Sequence, residues 1–167
     1  RAYLDNARLG RGANAQENSY VVDSVLEGYD VGAHGAKIIG SQLGVNVFVG
    51  FNSFLRGTPE APLVIGEGSV VLPHTIIDLV EPVELPAWHV VWGHVTRQAD
   101  LATQSVSIED FAKVEGEARI GAMTFTGNGE RFIRAFQNRI HHILEDNGAY
   151  FDGTGKLGHA QKTKNIT

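Results

Sequence analysis

An all-β core wound as a left-handed parallel β-helix of six-residue repeats, followed by a C-terminal α-helix, is the architecture this chain predicts. Three observations predict it. Apolar residues recur every six positions between Val31 and Val83, Gly directly follows several of them, and helix-spaced apolar residues appear in the last third of the chain.

The six-residue lattice runs through Val31, Leu43, Val49 and Leu55, then through Ile65, Val71, Ile77 and Val83. A period of six is neither the 3.6 of a helix nor the two of a strand. It fits a three-sided coil in which each repeat supplies one short strand and one corner. The apolar residue points inward and stacks on its counterparts about 4.8 Å above and below. Gly32, Gly44, Gly50 and Gly66 follow lattice residues, and each is read as taking a corner geometry that a Cβ would strain. Lys37 falls on the lattice and breaks it, so Ile38 or Ile39 is expected to turn inward. An antiparallel sandwich would show Asn-Gly or Asp-Gly hairpin turns, and the repeat region has none.

The stretch from Arg56 to Leu63 reads RGTPEAPL. Pro59 and Pro62 cannot donate to a ladder, so it reads as a loop thrown from one corner. Leu55 and Ile65 are ten apart, and removing four residues restores the register. Residues 1–97 are thus expected to form the β-helix, 98–150 an extension, and 151–167 a mobile, polar tail. Leu101 to Thr126 carries mixed signals, apart from a short helix at Ile108 to Val114. Asn128 is a fair N-cap for an amphipathic helix of about residues 129–147. Phe132, Phe136, Ile140 and Leu144 give its spacing, and Asn147-Gly148 its stop.

Composition bounds the function. A length of 167 residues is that of one domain. Hydrophobic residues at 43% and charged residues at 20% suit a chain that buries a core. A net charge of −5 without a dense Lys/Arg cluster argues against a nucleic-acid partner. The absence of Cys removes disulfides, thiolate metal sites and Cys nucleophiles, and suits the cytoplasm. No apolar run approaches the roughly 20 residues of a membrane span and no leader opens the sequence, so no membrane partner is expected.

A polar column follows from the lattice. His34, Asn52 and His74 each lie three residues past a lattice position and are expected to stack on successive turns, with Glu17 or Asn18 one turn earlier. A carboxylate beside His34 would orient its ring and raise its basicity. In an intersubunit cleft His34 could then accept a proton while Asn52 held a substrate oxygen. The alternative is a polar ladder that only stabilises the coil, and it is the preferred reading for Asn52 and His74. His89 and His94, between Trp88 and Trp92, read as packing residues, and the adjacent His141 and His142 would point apart on their helix.

Four short motifs occur in order: Leu9 to Asn18 reads LGRGANAQEN, Ala33-His34 precedes Ile39-Gly40, Phe48 to Ser53 reads FVGFNS, and Leu85 to Val91 reads LPAWHVV. As a set they resemble the hexapeptide-repeat superfamily, and within it the γ-class carbonic anhydrases, over roughly Leu9 to Asp100. Gln98-Ala99-Asp100 is similar to the lead into that family's C-terminal helix, and Trp88 stands where Gly is usual.

The resemblance implies a homotrimer with lyase sites between subunits acting on a small molecule. Such a site takes three His ligands, because catalytic Zn²⁺ wants three protein ligands and an open position. His34 matches one, but the other two positions hold Val22 and Ile39, which have no lone pair. The zinc set is therefore incomplete, and a relative inactive as a hydratase is one expectation. Gln16 and Glu17 match the pair beside the metal-bound water, which makes His34, Glu17 and Gln16 the catalytic candidates. Asn14, which falls on the motif's Asn, joins Asn52 and His74 as a substrate-binding candidate. Two alternatives share the fold: an acyltransferase using a coenzyme A thioester with His34 as general base, and a non-catalytic trimeric scaffold.

Overall fold

The computed structural model describes residues 1–135. The later part of the expected 129–147 helix, with Phe136, Ile140, Leu144, His141 and His142, and the 151–167 tail lie outside the described residues.

The chain is a three-sided parallel β-solenoid, as the repeat predicts. The first sheet stacks Tyr3–Asp5, Tyr20–Val22, Lys37–Ile39, Phe54–Arg56, Ile76–Asp78 and His94–Val95. The second stacks Arg8–Leu9, Val25–Leu26, Ser41–Leu43, Leu63–Ile65 and Val83–Leu85. The third stacks Asn14–Ala15, Val31–Gly32, Phe48–Val49, Val70–Val71 and His89–Val91, and ends on the antiparallel strand Ser105–Ser107. Each turn lays one strand on each sheet, so lateral neighbours are one full turn apart in sequence.

One inward column per sheet builds the core. Val21, Ile38, Leu55, Ile77 and Val95 stack in the first sheet. Leu26, Leu43, Ile65 and Leu85 stack in the second, and Gly32, Val49, Val71 and Val91 in the third. The aliphatic members are at most 1% exposed, and each contributes roughly 1.5–3 kcal/mol by leaving water.

Three expectations are corrected. Val31 is buried but does not belong to the inward column: it pairs with Phe48, and Gly32 is the lateral partner of Val49. The reason is a turn of seventeen residues rather than eighteen, since Val21 pairs with Ile38 while Leu26 follows Val21 by only five. Ile38 fills the space that Gly32 leaves, its Cδ1 lying 3.2 Å from where a Cβ on Gly32 would sit. At the Lys37 mismatch it is thus Ile38 that turns inward, and Ile39 faces out.

The loop between Arg56 and Leu63 adds five residues rather than four, because Leu55 and Ile65 pair with Ile38 and Leu43, which are five apart. The lattice glycines also have a different role. Gly44, Gly50 and Gly66 are not among the positive-φ residues. A Cβ on them would fall 2.8, 2.5 and 2.3 Å from the main-chain N of Glu67, Pro73 and Ala87. They permit close approach of the next turn, while the left-handed geometry falls two residues later, at Asn46, Asn52 and Gly68.

The extension folds back on the third sheet. Val70 and Val90 on its outer face are covered by Trp92, Ile108, Phe111 and Ile133. The short helix is Ile108–Ala112, opened by the Ser107 hydroxyl, which accepts from the Asp110 main-chain N–H at 3.1 Å. A hairpin of Glu115–Ile120 and Met123–Asn128 follows, where the sequence offered no assignment. Phe111, Phe125 and Phe132 pack together there, with ring centroids 4.8 to 6.0 Å apart. Asn128 caps the next helix, residues 129–135, as expected: its Oδ1 accepts from the Arg131 N–H at 2.8 Å.

Candidate functional site

The corner joining the third sheet to the first carries the candidate residues. It is built from four stacked dipeptides, Glu17-Asn18, His34-Gly35, Phe51-Asn52 and Pro73-His74. Main-chain bonds tie them: Gly35 N–H donates to Glu17 O at 3.0 Å, Asn52 N–H to His34 O at 3.0 Å, and His74 N–H to Phe51 O at 2.9 Å. The second residue of each is left-handed, with φ of 61°, 72°, 53° and 61° in turn. Gly and Asn suit that geometry because Gly has no Cβ and Asn has a short polar side chain. Buried hydroxyls close the corner from within. Ser19 donates to Gln16 O at 2.6 Å, and Thr75 to Leu72 O at 2.6 Å.

This arrangement splits the expected polar column in two. Glu17, His34, Phe51 and Pro73 form one column, and Asn18, Gly35, Asn52 and His74 the next. The slip has the same cause as before: His34 is two residues past Gly32, the true counterpart of Val49, whereas Asn52 is three past Val49.

Glu17 lies one turn before His34, with Oε2 2.7 Å from Nδ1. A carboxylate at this contact can only accept, so it favours the neutral tautomer with the proton on Nδ1 and the Nε2 lone pair facing away. Both side chains are well exposed, His34 at 54% and Glu17 at 70%. On the other side, one turn later, Phe51 stacks on the imidazole with centroids 5.7 Å apart and planes inclined by 22°. Sequence reasoning missed Phe51. The signal was the seventeen-residue turn, since Glu17, His34 and Phe51 are evenly spaced by it.

The other candidates sit around this pair. Gln16 enters through its main chain, its N–H donating to Gly32 O at 2.9 Å and its carbonyl accepting from Ser19. Asn14 lies in the strand leading to the corner, paired with Val31. The Asn52 side chain lies over Gly35, where a Cβ would collide with its Oδ1. His74 is exposed beside Pro73.

A zinc site does not fit these residues. Val22 and Ile39 are lateral partners on the first sheet and carry no donor atom, and the Nδ1 of His34 faces Glu17. Among the described residues no group of three His, Asp or Glu side chains is placed to share a metal. His89 and His94 lie on different sheets, and Nδ1 of His89 is 2.9 Å from Ala87 O.

Away from this corner, Asp30 is fully buried where the second sheet turns into the third. Its Oδ1 accepts from the Val47 N–H at 2.7 Å, and Oδ2 has no partner. Burial pushes its carboxyl up to about 8, against the lowering effect of main-chain N–H groups led by that of Val47. Among the described residues no helix is long and apolar enough to cross a membrane.

No family model matches the chain, and a comparison with curated proteins finds no match. Among solved structures the chain is similar to a presumed acetyltransferase from Desulfovibrio desulfuricans G20, at 58% identity and a TM-score of 0.88 over 97% of this chain. That likeness covers 35% of the Desulfovibrio chain, so this chain spans about a third of its length. WeeI from Acinetobacter baumannii AYE is 26% identical over 55% of this chain and 51% of its own, with a TM-score of 0.45, a level that carries no weight. These comparisons do not bear out a special closeness to γ-class carbonic anhydrases. Three parallel sheets, inward aliphatic columns and stacked corners make the chain a parallel β-solenoid, the fold it shares with the Desulfovibrio protein.

Proposed function

We propose that this solenoid works as a homotrimeric acyltransferase, with His34 as the general base and Glu17 holding it in the required tautomer. The contact between Glu17 Oε2 and His34 Nδ1, at 2.7 Å, carries the reading. The likeness to a presumed acetyltransferase supports it over a lyase. The substrates are a coenzyme A thioester and a small acceptor bearing a hydroxyl or amine.

In the reaction, Nε2 of His34 takes the acceptor's proton as its oxygen or nitrogen attacks the thioester carbon. The C–S bond breaks, and the departing thiolate takes that proton from His34 Nε2 to leave as the free thiol, which regenerates the base. Glu17 stabilises the transient imidazolium without itself being protonated. Asn52 and His74 in the next column, with Gln16 and Asn14 on the approach, are the groups proposed to contact substrate.

A general base this exposed needs a wall against water. The outer face of the first sheet adjoins the corner and presents Tyr3, Tyr20 and Ile76, each 44–51% exposed, with Lys37 Nζ 5.9 Å from the Tyr20 ring centre. A trimer that buries this face would supply the wall. The γ-class reading, with zinc at His34, is not adopted, because Val22 and Ile39 cannot ligate. The location proposed is the cytoplasm, where the thioester is made.

Calorimetry with acetyl-coenzyme A, thiol release in the presence of amines and alcohols, and light scattering test this together. Binding, acceptor-dependent thiol release abolished in His34→Ala, and a trimeric mass are expected. Absence of both binding and thiol release would overturn the reading and leave a non-catalytic scaffold.

A further inference from the structure

We infer that Phe51 is a positioning residue for His34, one that fixes the plane of the imidazole and faces the imidazolium formed when Nε2 takes a proton. The inference rests on the acyl-transfer reading for its catalytic half; the fixing of the ring stands on geometry alone.

A single hydrogen bond from Nδ1 to Glu17 leaves the imidazole free to turn about the line of that bond. An exposed ion pair of two side chains does little to stop this, because water competes for both partners. Phe51 supplies the missing constraint. Its ring lies nearly parallel to the imidazole at 5.7 Å, from the opposite side to Glu17. One partner fixes the ring at its edge and the other at its face, and Nε2 is left pointing along one direction.

The corner itself does not require an aromatic residue at this position. The same place in the column holds Glu17 and His34 on the preceding turns and Pro73 on the next, and the carbonyls of Glu17, His34 and Phe51 each accept from the residue one turn later. Phe51 is 46% exposed, so its ring gains only part of the usual benefit of burial. What is particular to it is the stacking on His34. An aromatic face also favours a cation lying over it, and the proton-transfer step makes His34 a cation for its duration.

Phe51→Leu keeps an apolar side chain and removes the flat face. Loss of an exposed cation–aromatic contact corresponds to about a two- to fivefold fall in kcat, with KM for acetyl-coenzyme A unchanged. Phe51→Tyr keeps the face and is expected to restore kcat. An independent readout is the NMR signal of the His34 ring carbons and protons in histidine-labelled protein, identified by its absence in His34→Ala. These signals are expected to move in Phe51→Leu, as the ring current is lost, and to stay close to the parent in Phe51→Tyr.

Unchanged His34 signals in Phe51→Leu would overturn the inference whatever the activity. Moved signals with parental kcat, in a protein that His34→Ala inactivates, would overturn the catalytic half and leave the acyl-transfer reading standing. If His34→Ala itself retains parental activity, the acyl-transfer reading fails, while the NMR comparison still decides whether Phe51 stacks on the ring. Matching thermal melts show that the variants are folded, and Phe51→Met replaces Phe51→Leu should the latter not be.

Discussion

Val22 pairs laterally with Ile39 on the outside of the first sheet, one turn apart. These are the two positions at which the resemblance to γ-class carbonic anhydrases asks for imidazoles. Two aliphatic groups side by side make an apolar surface suited to covering by another chain. The neighbouring corner keeps the contact between Glu17 and His34, while Val22 and Ile39 offer a metal no donor atom. Chelation with EDTA is accordingly expected to leave both thiol release and the melting temperature unchanged. A fall in either, reversed by zinc, would show that ligands other than these complete a site.

His34→Ala should lower acyl transfer by about a hundredfold or more, the usual contribution of a general base. Glu17→Gln should lower it less, because the amide still accepts a hydrogen bond but no longer stabilises imidazolium. Both side chains are exposed, so stability should change by no more than about 0.5 kcal/mol. Light scattering should report the same oligomer. A His34→Ala protein that falls apart to monomers would mean that the imidazole serves assembly rather than chemistry.

Val49→Asp should have the opposite effect. Val49 is fully buried between Gly32 and Val71 in the third inward column. An unpaired carboxylate there costs on the order of several kcal/mol, comparable to the stability of a whole domain. Loss of the cooperative melt is expected by circular dichroism. A stable variant would show that the column tolerates charge.

Gly35 should resist replacement. It is left-handed, with φ of 72°, and a Cβ would run into Asn52 Oδ1. Gly35→Ala should cost about 1–2 kcal/mol for the backbone alone. Adding Asn52→Gly, which removes the side chain and suits the left-handed φ of 53° at that position, should recover the part due to the collision. Urea denaturation of the single and double variants separates the two contributions, and equal stabilities would rule the collision out.

Asp30 should make stability fall as pH rises. Its folded carboxyl titrates near 8, against 3.8 ordinarily. The folded state therefore holds a proton that the unfolded state releases between those values. This contribution is complete below about pH 4 and is lost progressively up to about pH 8, at no more than about 1.4 kcal/mol per pH unit. Asp30→Asn should flatten the profile over that window. An unchanged slope in urea melts at pH 5 and pH 8 would place the pH dependence elsewhere.

The six-residue period, read without coordinates, was enough to determine a parallel coil, most of its inward aliphatic residues and the place of the corner loop between Arg56 and Leu63. Side chains that must stack every turn impose their spacing on the sequence, so such a core can be read directly. The Asn128 cap was legible for a similar reason, since a cap acts on the two or three residues that follow it. The register was not. A single corner shortened by one residue shifts every later partner, which is why Gly32 rather than Val31 aligns with Val49 and why His34 does not share a column with Asn52. Only the folded chain brought Phe51 onto the imidazole and the hairpin onto the third sheet. Contacts of this kind depend on the summed length of whole turns, a quantity that no local pattern records.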